Sequence, residues 1–127
     1  MKQVTAAIIR QDNKVLIAQR AADDECGLLW EFPGGKLEEG ETPEECITRE
    51  IKEELNLDVE VIDIFTTSIY RYNSQDIKFT VFNVRLIGGN LRLNVHNQVK
   101  WVDINQLKNY NFMPADIEFV EKLVRDV

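Results

Sequence analysis

The segment from Thr42 to Asn56 carries the start and stop signals of a single helix. Thr42 suits the N-cap, Pro43 suits the first helical position, and Glu45 can close a capping box with Thr42. Asn56 suits the left-handed position that ends a helix. Between these signals, apolar residues recur at helical spacing: Ile47, Ile51 and Leu55. The segment therefore predicts an amphipathic helix over residues 43–55.

Strand patterns precede this helix. Residues 4–10 and 14–20 are apolar runs joined by Asp12 and Asn13, which predicts a β-hairpin whose second strand ends at Arg20. Residues 28–32 predict another short strand. We expect the sequence Pro-Gly-Gly that follows it to interrupt regular structure.

Strand patterns also dominate the chain after the helix. Residues 59–72 and 76–88 read as β segments, and residues 99–104 predict a short final strand. In the tail, from residue 114 to residue 127, apolar residues return to helical spacing and predict a packed C-terminal helix. The chain is therefore expected to be of the α/β class.

Length and charge limit the possible functions. A chain of 127 residues fits one domain over residues 1–127, with no linker needed. The net charge of −7 disfavours binding to duplex DNA but leaves a small phosphorylated ligand possible if a divalent cation is bound. The first apolar run is too short for a signal sequence or a membrane span, so we expect a cytoplasmic protein. Cys26 and Cys46 are expected to be free thiols.

Glutamates border the apolar face of the predicted helix. At about 100° per residue, Glu50, Glu53 and Glu54 fall within one arc of roughly 100°. Carboxylates about 5 Å apart repel by about 3 kcal/mol per pair at an effective dielectric of 20, so they need protons or cations nearby. Such oxygen-rich clusters suit Mg²⁺ or Mn²⁺. The alternative is an ordinary solvated acidic face.

The same segment resembles the Nudix box, G-x5-E-x7-R-E-U-x-E-E-x-G-U, in which U is a bulky aliphatic residue. Eight fixed positions match over 23 residues: Gly35, Glu41, Arg49, Glu50, Ile51, Glu53, Glu54 and Leu57. Asn56 replaces the final glycine and tolerates the same backbone conformation. The surrounding sequence is similar to the MutT type of Nudix hydrolase. The resemblance implies an α/β/α sandwich, in which a mixed β-sheet is flanked by the Nudix-box helix and a C-terminal helix.

The resemblance also implies an activity and a metal site. Nudix hydrolases cleave a nucleoside diphosphate linked to another group, and MutT-like members convert a nucleoside triphosphate to the monophosphate and pyrophosphate. By position, Glu50, Glu53, Glu54 and the carbonyl of Gly34 would bind Mg²⁺, while Arg49 would hold a box glutamate in place. Glu53, Glu54 and Arg49 are thus the expected catalytic residues.

Two basic residues lie close to this segment in sequence. Arg20 and Lys36 look like the positions that MutT relatives use to bind phosphates. The alternative for each is an ordinary charge at a strand end or on the surface.

One position departs from the pattern of many MutT-like proteins. Many of these proteins have a glutamate six residues before a late tryptophan, and that glutamate serves as a metal ligand or general base. In this chain the tryptophan is Trp101, and the residue six positions before it is Val95. The base would then be Glu53 or Glu54, or a neighbour such as His96 or Asp76; otherwise turnover would be slow. His96 could equally have a structural or solvated role.

The start of the last predicted helix resembles the place where MutT relatives read the nucleobase. Asp116 lies there and could accept hydrogen bonds from guanine or cytosine, or it could simply cap the helix. Phe32 could stack on the base or belong to the core. The same two possibilities apply to four later aromatic residues, namely Tyr70, Tyr72, Phe79 and Phe82.

The sequence thus predicts a Mg²⁺-dependent hydrolase of a modified, purine or pyrimidine nucleoside triphosphate that cleanses the nucleotide pool. The alternatives are hydrolysis of another diphosphate, such as ADP-ribose or a nucleotide sugar, and a Nudix domain that only senses a ligand. The expected partner is a small nucleotide, with no nucleic acid polymer and no membrane. A monomer or a homodimer is expected.

Overall fold

The computed structural model describes residues 1–126. Seven strands, two α-helices and one 3₁₀ helix (Ile104–Asn109) make up the regular structure of this part of the chain. The strands are β1 Lys2–Gln11, β2 Lys14–Gln19, β3 Trp30–Glu31, β4 Gly34–Lys36, β5 Leu57–Tyr72, β6 Gln75–Gly89 and β7 Gln98–Asp103. The α-helices are α1 Pro43–Leu55 and α2 Pro114–Arg125, and Val127, the predicted end of the last helix, lies outside the described residues. Over residues 1–126, the helices are too short or too polar to span a membrane.

Strand β1 is central in a mixed sheet. It runs parallel to β6 from Lys2 to Ile9 and antiparallel to β4 and β2 at its two ends. Strand β7 pairs with β2, and β5 pairs along its length with β6. The predicted hairpin at Asp12 and Asn13 is confirmed. Strand β2 ends at Gln19, one residue before the predicted end at Arg20.

The two α-helices cover opposite faces of the sheet. Alternate residues of β1 point to opposite faces, so Ala6 and Ile8 share a core with Phe119 of α2, while Ile9 packs in a second core with Ile51 of α1. This arrangement is the expected α/β/α sandwich.

Helix α1 has the predicted bounds and both predicted caps. Thr42 Oγ1 accepts from the Glu45 N–H at 3.1 Å, and the Glu45 carboxylate accepts from the Thr42 N–H at 2.9 Å. Asn56 ends the helix with a φ of 57°, in the left-handed region. The local signals therefore predict both ends of this helix correctly.

The glycines after Pro33 continue regular structure, contrary to the sequence prediction. Strand β4 pairs with β1, with Gly34 opposite Ala6 and Gly35 opposite Thr5. A Cβ on Gly34 would lie 2.0 Å from the Thr5 carbonyl oxygen. Glycine is needed here for the close approach of two backbones, which a pattern of breaker residues does not reveal.

The strand predicted over residues 28–32 is shorter than expected. Leu28 has a φ of 67°, a conformation outside the β region, and only Trp30 and Glu31 pair with β2. Tertiary contacts therefore override the apolar pattern of the first two residues.

Candidate functional site

A cleft of about 280 Å³ lies where β3, β4, the end of α1 and the start of α2 meet. Its lining includes nine of the residues singled out from the sequence: Arg20, Gly34, Gly35, Lys36, Glu54, Phe79, Val95, His96 and Asp116. A larger depression of about 900 Å³ beside Lys52 is more open to solvent and lacks a buried carboxyl group. The smaller cleft is therefore the candidate active site.

Arg49 connects the loop before α1 to the acidic side of that helix. Its guanidinium donates to Glu41 at 2.7 and 3.0 Å, to Glu50 at 2.9 Å and to Glu53 at 3.1 Å. It also reaches the backbone carbonyl of Lys36 at 3.2 Å. The bidentate contact with Arg49 lowers the pKa of Glu41 to about 2. These contacts are the ones that Arg49 would need in order to hold a box glutamate in place, as the resemblance implies.

Glu54 lies on the buried side of α1, where only 9% of the residue is exposed. Among the described residues, its Oε1 is buried without a hydrogen-bond partner. Burial raises the pKa of Glu54 to about 9, and the carboxylates of Glu50 and Glu31 add to this effect. An uncompensated carboxylate in this position calls for a positive charge.

Glu50 and Glu53 flank Glu54 differently. Glu50 packs against β4, so a Cβ on Gly35 would lie 2.4 Å from its carboxyl carbon. The Glu53 side chain is 60% exposed and pairs with Arg49. Over residues 1–126, the acidic, histidine and cysteine side chains form no ready group of three at metal-binding spacing. The buried Glu54 and the half-buried Glu50 still fit a hard divalent cation, since they supply oxygen ligands and Glu54 Oε1 lacks a partner in the described part of the chain.

Arg20 lies at the end of β2 with its side chain in the cleft. It donates to Glu31 at 3.0 Å, to Asp24 at 2.9 Å and to the Glu25 carbonyl at 3.1 Å. Five N–H donors on the guanidinium leave one on each terminal nitrogen for a ligand. Lys36 also lines the cleft, so both basic residues lie where a phosphate chain could be bound.

Asp116 lies in the first turn of α2 and is only 6% exposed. Its carboxylate accepts from the backbone N–H of Phe32 at 2.8 Å. The N-cap position of α2 belongs to Met113, so the capping alternative for Asp116 is wrong. Burial raises the pKa of Asp116 to about 8; Glu31 adds to the shift, while the Phe32 N–H and Arg20 oppose it.

The aromatic candidates divide between the cleft and the core. The Phe32 ring is in the core on the α2 side, stacked on Phe112 with centroids 5.4 Å apart, and the residue is 3% exposed. Its ring thus matches the core alternative, while its backbone holds Asp116. Phe82 is buried on the α1 side, whereas Phe79 lines the cleft. Tyr72 is exposed and donates to Glu25.

Val95, which stands where many MutT-like proteins have a glutamate, also lies at the cleft. Val95 and His96 both line it; Val95 is 56% exposed, and the His96 side chain is 3% exposed. Asp76, the other proposed substitute, pairs with Arg71 at the tip of the β5–β6 hairpin and is not part of the cleft lining.

Glu31 is a central residue that the sequence did not single out. It lines the cleft, contacts Arg20 through Oε1 and lies 2.9 Å from His96 Nε2 through Oε2. The only sequence signal was one charged residue within the apolar run of residues 28–32.

Comparison with known proteins agrees with this geometry. The sequence matches the NUDIX domain over residues 1–123. It is 33% identical to the CTP pyrophosphohydrolase of Escherichia coli K12 over 95% of this chain and 90% of that protein. It is 32% identical to the 8-oxo-dGTP diphosphatase of the same organism over 97% and 96% of the two chains. A solution structure of MutT from methicillin-resistant Staphylococcus aureus superposes with a TM-score of 0.78 at 37% identity, covering 99% of this chain and 97% of that chain.

The family match extends along nearly the whole chain, and it includes both the box residues held by Arg49 and the two helices that enclose the sheet. This protein therefore belongs to the Nudix family and is a MutT-like Nudix hydrolase.

Proposed function

We propose that this protein hydrolyses a nucleoside triphosphate to the monophosphate and pyrophosphate, with Mg²⁺ as its cofactor and Mn²⁺ as a possible substitute. The observation that carries the proposal is the buried carboxylate of Glu54, unpartnered at Oε1, in one cleft with Arg20 and Lys36. A hard cation and a polyphosphate together satisfy all three groups.

Glu50, Glu53, Glu54 and the Gly34 carbonyl would hold the cation. When bound, it neutralises phosphate charge and polarises the reacting phosphoryl group. Arg49 restrains Glu50 and Glu53, so that the carboxylates are already oriented before substrate enters.

The chemistry is attack by water on a phosphorus atom with cleavage of a phosphoric anhydride bond. Glu53 or Glu54 accepts the proton of that water, because Val95 offers no carboxylate and Asp76 is not part of the cleft. His96 lines the cleft, but its Nε2 is engaged by Glu31 and its Nδ1 is buried. Arg20 and Lys36 bind the phosphate oxygens and thereby keep the substrate in line with the water.

Asp116 is proposed to read the base. Its carboxyl is fixed by the Phe32 N–H and faces the same cleft as the phosphate-binding residues. An ionised carboxyl accepts hydrogen bonds, whereas a protonated one can also donate, so bases of both types belong in a substrate panel. The names of two relatives, which refer to CTP and to 8-oxo-dGTP, support the same choice of substrates.

The test is pyrophosphate release from CTP, dCTP, 5-methyl-dCTP, dGTP and 8-oxo-dGTP, each with Mg²⁺ and with EDTA. We expect metal-dependent release of pyrophosphate and the monophosphate from one or two of them. ADP-ribose and a nucleotide sugar serve as comparison substrates. Cleavage of these alone would replace the proposal with a different diphosphate specificity, and tight binding without cleavage would indicate a sensor.

A further inference from the structure

Arg20, Glu31 and His96 form a continuous hydrogen-bonded chain along one wall of the cleft. Glu31 uses its two oxygens separately, Oε1 accepting from Arg20 at 3.0 Å and Oε2 lying 2.9 Å from His96 Nε2. The Glu31 side chain is 19% exposed and that of His96 only 3%. Hydrogen bonds to a shielded carboxylate are shorter and stronger than those in bulk water.

The geometry of this chain restricts Arg20. With Nε, Nη1 and Nη2 each engaged by the protein, the plane of the guanidinium is fixed and one N–H on each terminal nitrogen is left for a ligand. The side chain of Asp24, which pairs with Nη2, is 42% exposed, so Glu31 is the better shielded of the two carboxylate anchors. A guanidinium held in this way needs no reordering to bind a phosphate through two hydrogen bonds.

We propose that His96 is a positioning residue for phosphate binding, acting through Glu31 on Arg20 and not by proton transfer. Its Nε2 donates to Glu31 and fixes the carboxylate that holds Arg20. Among the described residues, His96 Nδ1 is buried without a hydrogen-bond partner, so this nitrogen does not reach the surface of the cleft where a water molecule would be activated. The proposal rests on the proposed function, since it assigns Arg20 to the polyphosphate.

Two substitutions separate positioning from proton transfer. Gln can present an amide N–H close to the place of His96 Nε2, but it does not titrate, whereas Leu fills similar space without a donor. We expect His96→Gln to keep KM and kcat within about threefold of the wild type. We expect His96→Leu to raise KM about tenfold with a smaller change in kcat, as for the loss of one charge-assisted hydrogen bond.

A double-mutant cycle tests the path through Arg20. The readout is the affinity for inorganic pyrophosphate with Mg²⁺, measured by calorimetry, together with KM for the best substrate. If His96 acts through Arg20, His96→Leu should weaken binding about tenfold in the wild type and less than twofold in an Arg20→Ala background. Glu31→Gln should likewise weaken binding in the wild type only, and it serves as a second route if His96→Leu does not fold.

Additive effects of His96→Leu and Arg20→Ala would overturn the proposal, as would loss of kcat in His96→Gln with an unchanged KM. Absence of pyrophosphate binding by the wild type would overturn it as well. Failure of the proposed function would give a different result. A protein that cleaves no nucleoside triphosphate can still bind pyrophosphate, and the effect of His96→Leu on that binding can still depend on Arg20.

Discussion

Arg49 Nε lies 2.7 Å from Glu41 Oε2, which ties the loop before α1 to the second turn of that helix. Nη1 reaches both Glu50 and Glu53, and Nη2 forms a second bond to Glu41, so a single side chain holds these three box carboxylates. The arrangement depends on the planar, forked shape of the guanidinium, because the three donors of a lysine ammonium rotate and cannot form the bidentate contact with Glu41.

Arg49→Lys is therefore expected to lower kcat by at least about tenfold, although charge is conserved. The free energy of unfolding should fall by less than about 1 kcal/mol, because the ion pairs are partly solvated. Steady-state kinetics and urea unfolding measure the two effects. Lys52→Ala, which removes a cation on the same helix paired with Asp58, is the control and should keep wild-type kcat. Full activity in Arg49→Lys would contradict the role of the fork.

Gly34→Ala should disrupt the contact between β4 and β1. The added Cβ would meet the Thr5 carbonyl oxygen at 2.0 Å, so the two backbones must separate, at a cost of about 1–3 kcal/mol in unfolding free energy. The matched control is Gly88→Ala on β6, where the nearest atom would be 3.6 Å away. Thermal unfolding of both variants checks the prediction, and equal stability of the two would refute it.

Asp116 is expected to make stability depend on pH. Its folded pKa of about 8 exceeds its ordinary value of 3.8, because burial penalises the charged form and the negative charge of Glu31 adds to the effect. The folded state thus binds more protons than the unfolded state between about pH 4 and pH 8, and stability contributed by this group is lost as pH rises through that window. Asp116→Asn does not titrate and keeps an acceptor for the Phe32 N–H, so it should lose less stability between pH 5 and pH 8.5 than the wild type. Urea unfolding across this range measures the difference, and parallel profiles would show that the pKa is not raised.

The capping box makes a separate prediction about stability. Thr42→Ala removes the acceptor for the Glu45 N–H and should reduce the unfolding free energy by about 1 kcal/mol. Thr48→Ala is the control, because Thr48 lies on the exposed face of α1 and donates to a carbonyl already in the helix. Chemical unfolding of the pair measures the difference. A Thr42→Ala variant as stable as Thr48→Ala would show that the cap contributes nothing.

Local signals predicted helix α1 and the first hairpin correctly because the interactions that define them lie within a few residues of one another. Strand β4 was not predicted, since its partner Thr5 is 30 residues away and glycine usually indicates a break. The core position of the Phe32 ring could not be assigned for a related reason: its neighbour Phe112 lies on a distant segment.

The site was predicted where a motif fixes the spacing and missed where it does not. The box placed Arg49 beside its glutamates, as the structure shows. The link from Glu31 to His96 spans 65 residues and belongs to no pattern along the chain. Such contacts depend on the end of β2, which pairs with β3 on one side and with β7 on the other and so brings Glu31 and the segment before β7 together.

The central claim is that the box carboxylates hold a divalent cation against a polyphosphate. The most direct measurement is pyrophosphate release as a function of Mg²⁺ concentration for the wild type, Glu53→Gln and Glu44→Gln, the last altering an acidic residue of α1 at a variable position of the box. We predict no release in EDTA, at least about a tenfold loss of rate or Mg²⁺ affinity in Glu53→Gln, and wild-type behaviour in Glu44→Gln. Release that persists in EDTA, or a Glu53→Gln variant with the same Mg²⁺ dependence as the wild type, would contradict the account.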